Sequence, residues 1–170
     1  LDNVGHIETL AQGMRPDSQG RIDAESGAAV LQEVVKSHAG IVMLRLVAGD
    51  GTGPFVQRRT LSDDAESSLE EIMREAFAAS MRGRPARRDM LRLDGEEPMV
   101  LTSMPLANRS GQVIGVLQGV VSLAGIAGRI ADESSRGAIV AVVDKSGTVL
   151  FSSRPERVGG VEEVDQGGRG

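Results

Sequence analysis

Between Pro98 and Leu123 the chain alternates as a strand does. Val100, Thr102, Met104 and Leu106 interleave with Leu101, Ser103 and Pro105, until Asn108-Arg109-Ser110-Gly111 breaks the pattern. A β-rich apolar run then resumes from Val113 to Val121. Gly111 can take the positive φ that tight turns often need, so the segment predicts a hairpin. Upstream, Ala28, Leu31, Val34 and Val35 recur at helical spacing and predict a helix over 23–38, with Asp23 as N-cap and His38-Ala39-Gly40 as its end. Ile41 to Ala48 is too apolar for a half-solvated strand and predicts a central strand covered on both faces. Asp50 to Pro54 is a turn, and Phe55 to Thr60 returns as a second strand.

A longer helix is expected from about Ala65 to Arg82, capped by Asp63 or Asp64 and stopped by Gly83 and Pro85. Its apolar stripe is Leu69, Ile72, Met73, Ala76, Phe77 and Ser80, with Glu66, Glu70, Glu71 and Arg74 outside. A strand at 88–93, a turn at 94–97 and the hairpin follow, then a short helix over 123–133. Gly137 to Ser153 reads as another hairpin around Asp144-Lys145-Ser146-Gly147, and 154–170 is a polar, glycine-rich tail. At the front, Leu1, Val4, Ile7, Leu10 and Met14 lie close to a heptad seam on a helix ending near Gly13. That seam predicts pairing with a twin helix in a homodimer, although a buried flank of the same chain would give the same pattern. The chain starts in what reads as mid-helix, without an initiator Met or signal peptide, as expected of a piece of a longer protein.

The elements define an α+β domain: an antiparallel five-stranded sheet with flanking helices and a long N-terminal helix. The weak likeness of the last hairpin to the first strand pair divides the chain into a module over 1–134 and the start of a second over 135–170.

Composition narrows the chemistry. Only three residues of 170 are aromatic, all Phe, so the core is aliphatic and stacking platforms for nucleic acid are missing. The basic run Arg82-Gly83-Arg84-Pro85-Ala86-Arg87-Arg88 sits in a chain of net charge −5 and reads as a solvated loop, and no nucleic-acid partner is expected. Cysteine is absent, which removes disulfides, thiolate metal sites and a cysteine nucleophile. His6 and His38 are the only histidines, and no zinc-type spacing or G-x-S-x-G elbow occurs, so no metal, cofactor or catalytic residue is assigned. Gly49-Asp50-Gly51-Thr52-Gly53 leads into a strand rather than a helix, so it is a turn and not a phosphate cradle. No run reaches the roughly 20 apolar residues of a membrane span.

Three segments resemble the Cache family, the PAS-like sensor domains that bacterial receptors carry outside the membrane, and in particular its double-Cache arrangement. They are IVMLRLVAGDG at 41–51, SMPLANRSGQVIGVLQGVVSL within 99–123, and AIVAVVDKSGTVLFSSRPERVG within 137–159. The resemblance implies a periplasmic or otherwise extracytoplasmic domain of an inner-membrane protein. The parent would be foremost a sensor histidine kinase, or a diguanylate cyclase or chemoreceptor. It also implies a small-molecule ligand held between the sheet and the helical crossing from strand two to strand three. Amino-acid-binding members carry aromatic residues, an Arg-x-Trp-like element and an Asp on the last strand of the distal module; here Tyr and Trp are absent and Val120 stands near that Asp.

Polar residues inside apolar strands are the ligand candidates: Arg45, Arg92, Thr102, Ser103 and Gln118. An arginine reaching a pocket favours a carboxylate or similar anion through its bidentate fork. The competing readings are a cytoplasmic PAS-type dimerisation module and a small α+β enzyme with an unrecognised site.

Overall fold

The computed structural model describes residues 2–14, 23–84, 87–125, 141–143 and 149–152. Helices α1 (Asp2–Gly13) and α2 (Ala24–Ser37) precede strands β1 (Ile41–Ala48) and β2 (Phe55–Gln57). Helix α3 (Asp63–Met81) then leads to β3 (Arg87–Leu91), β4 (Met99–Ala107) and β5 (Val113–Ser122). These five strands form one sheet in the order β2-β1-β5-β4-β3, antiparallel throughout. The expected α+β, five-stranded antiparallel architecture with flanking helices is therefore the observed one.

Each face of the sheet carries its own core. One face packs Met43, Leu101 and Val120 under Leu69, Met73 and Ala76 of α3. The opposite face packs Leu44, Leu117 and Val121 under Ile7 and Ala11 of α1 and Leu31 and Val35 of α2. This two-sided coverage is why β1 reads as continuously apolar. Three of the five N-terminal seam residues, Ile7, Leu10 and Met14, pack against the chain's own sheet.

Local chemistry sets the boundaries. Helix α3 is capped by Ser62 rather than by Asp63 or Asp64: Ser62 is extended (φ −66°, ψ 154°), and its hydroxyl accepts from the Ala65 amide at 3.3 Å. The two aspartates fall inside the first turn, beside the positive helix end. Strand β2 is shorter than expected. Arg58 still donates its amide to Val42, but its guanidinium turns to the carbonyls of His38 and Ile41. The β4–β5 turn is built as its sequence implies: Asn108 Oδ1 accepts from the amides of Ser110 and Gln112, and Gly111 has φ 83°. In the Gly49–Gly53 turn, Asp50 Oδ1 takes the Thr52 amide at 2.9 Å and its hydroxyl at 2.6 Å. These bonds, the hydroxyl first, hold the Asp50 carboxyl below its ordinary value.

Compactness divides the chain into Leu1–Leu123 and Ala124–Gly170. In the second unit, β6 (Ala141–Val143) and β7 (Val149–Ser152) pair antiparallel. The expected turn at Asp144–Gly147 and the tail over 154–170 lie outside the described residues, as does the expected 123–133 helix beyond Gly125.

Candidate ligand site

Strand register brings three of the five candidate residues into one line. Arg45 of β1 pairs with Gln118 of β5, and Gln118 pairs with Ser103 of β4. All three point to the face covered by α3. Gln118 is 1% exposed and donates through Nε2 to the Met73 carbonyl of α3 at 2.8 Å, with Ser103 Oγ 3.4 Å away. Ser103 Oγ in turn lies 3.1 Å from Ser80 Oγ, near the end of the same helix. Burying an amide and two hydroxyls costs free energy unless each is paired, and here the helix provides the partners.

Arg45 closes the line at the rim. Its NH1 reaches both carboxylate oxygens of Glu70 on α3, at 2.9 and 3.1 Å. The Arg45 side chain is 28% exposed and that of Glu70 59%. An ion pair this wet contributes about 0–1 kcal/mol.

The remaining two candidates lie elsewhere. Thr102 is fully buried, but strand alternation turns it to the α1 face, where it pairs across the ladder with Gly119. Its hydroxyl has no hydrogen-bond partner. Arg92 follows the end of β3 and is exposed.

Sequence reasoning did not single out two members of the line. Ser80 belonged to the apolar stripe of α3, where a lone hydroxyl is the available signal. Glu70 lay outside that stripe, and nothing in its spacing connects it to Arg45. A second polar cluster joins the second expected strand, the 94–97 turn and the hairpin: Arg59 donates to Glu96 at 2.8 Å and to Glu97 at 2.7 Å, while Ser122 donates to Glu97 at 3.0 Å. It joins the segment before α3 to the β3–β4 turn and the end of β5.

On the other face of the sheet, α1 and α2 flank a groove of about 500 Å³ floored by Leu46. Its walls include Leu10, Met14, Val30 and Val34, with Asp23, Ser26, Thr9, His6 and His38 as polar members. The rings of His6 and His38 stand 4.2 Å apart, tilted by 48°.

No protein-family model and no curated protein sequence matches the chain. Solved structures do. The ligand-binding domain of the Pseudomonas aeruginosa PAO1 amino acid chemoreceptor PctC, in complex with GABA, is similar with a TM-score of 0.60 and 19% identity, over 94% of this chain and 69% of that one. That of PctB from the same organism, in complex with L-Arg, gives 0.56 and 23% identity, over 92% and 60%. The Pseudomonas fluorescens chemoreceptor CtaA domain, in complex with L-serine, gives 0.57 and 18%, over 94% and 70%. The chain thus spans between 60% and 70% of the length of these three domains. What they share with it is the fold, a five-stranded antiparallel sheet with flanking helices.

Proposed function

We propose that the chain is the non-catalytic sensing domain of a membrane receptor, lying outside the membrane and taking a small organic anion between the sheet and α3. One observation carries the reading: in a fold otherwise seen in ligand-binding domains, Arg45, Gln118 and Ser103 line up beneath a single helix. Arg45 already holds a carboxylate there, that of Glu70, and a ligand carboxylate can take the same place. Deeper in, Gln118 and Ser103 would exchange their bonds to α3 for bonds to the ligand. A ligand that prefers the freed position of α3 shifts the domain toward it, and that differential affinity is the signal.

The similar structures hold GABA, L-Arg and L-serine. In this chain Val120 is fully buried in the apolar cluster with Leu101 and Met73, so that position offers no counter-charge to an ammonium group. The favoured ligand class is therefore a carboxylate whose recognition does not require an α-amino group. Among outputs, the neighbours favour a chemoreceptor over a histidine kinase or a diguanylate cyclase. Residues 1–134 would form the membrane-distal module and 135–170 the start of a membrane-proximal one. A homodimer through α1 would use the helix face turned away from the sheet.

Thermal unfolding of the 170-residue chain with succinate, 4-aminobutyrate, benzoate and L-serine tests the reading. At least one carboxylate should raise Tm in proportion to its excess over Kd, and Arg45→Gln should remove the rise. No shift with any of them, or a shift that survives Arg45→Gln, overturns it.

A further inference from the structure

We propose that the α3-face site selects an aromatic carboxylate, with Phe55 of β2 as the residue that sets this preference. The inference rests on the anion reading above and adds the class of anion. The line of residues does not end at Arg45: Arg45 pairs in turn with Phe55, so the register Ser103–Gln118–Arg45–Phe55 runs out to the sheet edge. Directly opposed residues share a face, which puts Phe55 on the α3 side, while Val56 turns to the α1–α2 core. Burial falls along the line. Ser103 and Gln118 are buried, Arg45 is half-buried, and Phe55 is 49% exposed. The line therefore opens to solvent at β2, with the Phe55 ring at its mouth.

The ring is placed to touch whatever the guanidinium holds. The Leu46 amide donates to the Pro54 carbonyl at 3.0 Å, which makes Arg45 and Phe55 the neighbouring non-hydrogen-bonded pair, the closer of the two spacings in an antiparallel ladder. Such partners have Cβ atoms about 4.5–5.5 Å apart. Phe55 belongs to neither apolar core, and among the described residues only it and Val30 are large, hydrophobic and exposed. One of the three aromatic residues in the chain thus stands half in water beside a cation. Gln57 follows on the same face, opposite Met43, and its buried Nε2 has no hydrogen-bond partner among the described residues. Arg45 and Gln57 both bring donors to this patch, and an unmet buried donor favours a ligand that carries acceptors. A benzoate-type anion meets these demands: its carboxylate takes the place of Glu70 on Arg45, and its flat ring lies against Phe55.

The probes are benzoate and cyclohexanecarboxylate, the same carboxylate on a flat and on a puckered six-carbon ring. Each is titrated calorimetrically into the 170-residue chain and into Phe55→Leu, Phe55→Tyr and Arg45→Gln. Benzoate should bind the parent chain about two- to tenfold more tightly than cyclohexanecarboxylate, the share of one aromatic pair. Phe55→Leu should erase that ratio and Phe55→Tyr should keep it, and the half-exposed position tolerates both. Cyclohexanecarboxylate bound as tightly as benzoate, or a preference that persists in Phe55→Leu, overturns the proposal and leaves the anion reading in place. Binding of neither acid, or binding that survives Arg45→Gln, overturns both.

Discussion

Ile7 of α1 occupies the space that a side chain at Gly119 of β5 would fill: a Cβ built there collides with the Ile7 methyl and comes within 3.0 Å of Leu44 Cδ2. Glycine in a strand is ordinarily a weakness, because it leaves backbone entropy to be lost and packs nothing. Here it lets α1 lie close on the sheet with Ile7 fully buried. Gly119→Ala should therefore destabilise by about 1–3 kcal/mol through overpacking. In an Ile7→Ala background the same change should cost less, and a double-mutant cycle on urea midpoints measures the difference. Equal costs in the two backgrounds would show that Ile7 and Gly119 are not coupled.

On the other face, a carboxylate bound as proposed would compete with Glu70 for Arg45. Glu70→Gln removes the competitor and leaves the guanidinium in place. A carboxylate that binds the parent chain should bind this variant about two- to fivefold more tightly, since a solvated pair is worth up to about 1 kcal/mol. Unfolding stability should fall by no more than that amount. Calorimetric titration reads the affinity, and weaker binding would mean that Glu70 helps to hold the ligand.

Gln118 separates stability from recognition. Replacing it by Leu keeps the volume and removes the amide, while Ser103 and Ser80 keep each other. The exchange should change stability by about 1 kcal/mol or less, because substituting a buried polar group by an apolar one of similar shape is often close to neutral. The same variant should lose the carboxylate-induced rise in Tm. A large loss of stability with the ligand response intact would make Gln118 structural.

The sequence shows the sheet more plainly than the site, for a physical reason. Strand alternation in β4 and β5 is a local, period-two property, and it survives without knowledge of neighbours. It marks Thr102 and Ser103 equally as polar residues in an apolar strand. Alternation sends the two to opposite faces, but only the register and the flanking helices show which lies under α1 and which under α3. Likewise Ser62, Asp63 and Asp64 are three good caps in a row, and the choice falls to the residue whose backbone is extended. Glu70 joins Arg45 across 25 positions, and the α1–α2 groove depends on how two helices sit on one sheet face. No periodicity encodes either.

The Arg59 cluster makes the domain acid-sensitive in a defined direction. Partial burial alone would raise the Glu97 carboxyl, but its own amide, Arg59 and the Ser122 hydroxyl together outweigh it, and the carboxyl lies below its ordinary value of 4.5. The unfolded chain therefore binds this proton more readily than the folded one, and stability rises with pH through that interval. The contribution is complete above the ordinary value and is lost as pH falls through the lowered one. Because Arg59 and Glu97 are each about a third exposed, solvent screens the pair and the effect is modest. Glu97→Gln should flatten the stability profile below about pH 5 while leaving the carboxylate affinity of the α3 face unchanged. Urea midpoints taken from pH 3 to pH 7 provide the check. A profile as steep as the parent's would place the acid sensitivity on another group.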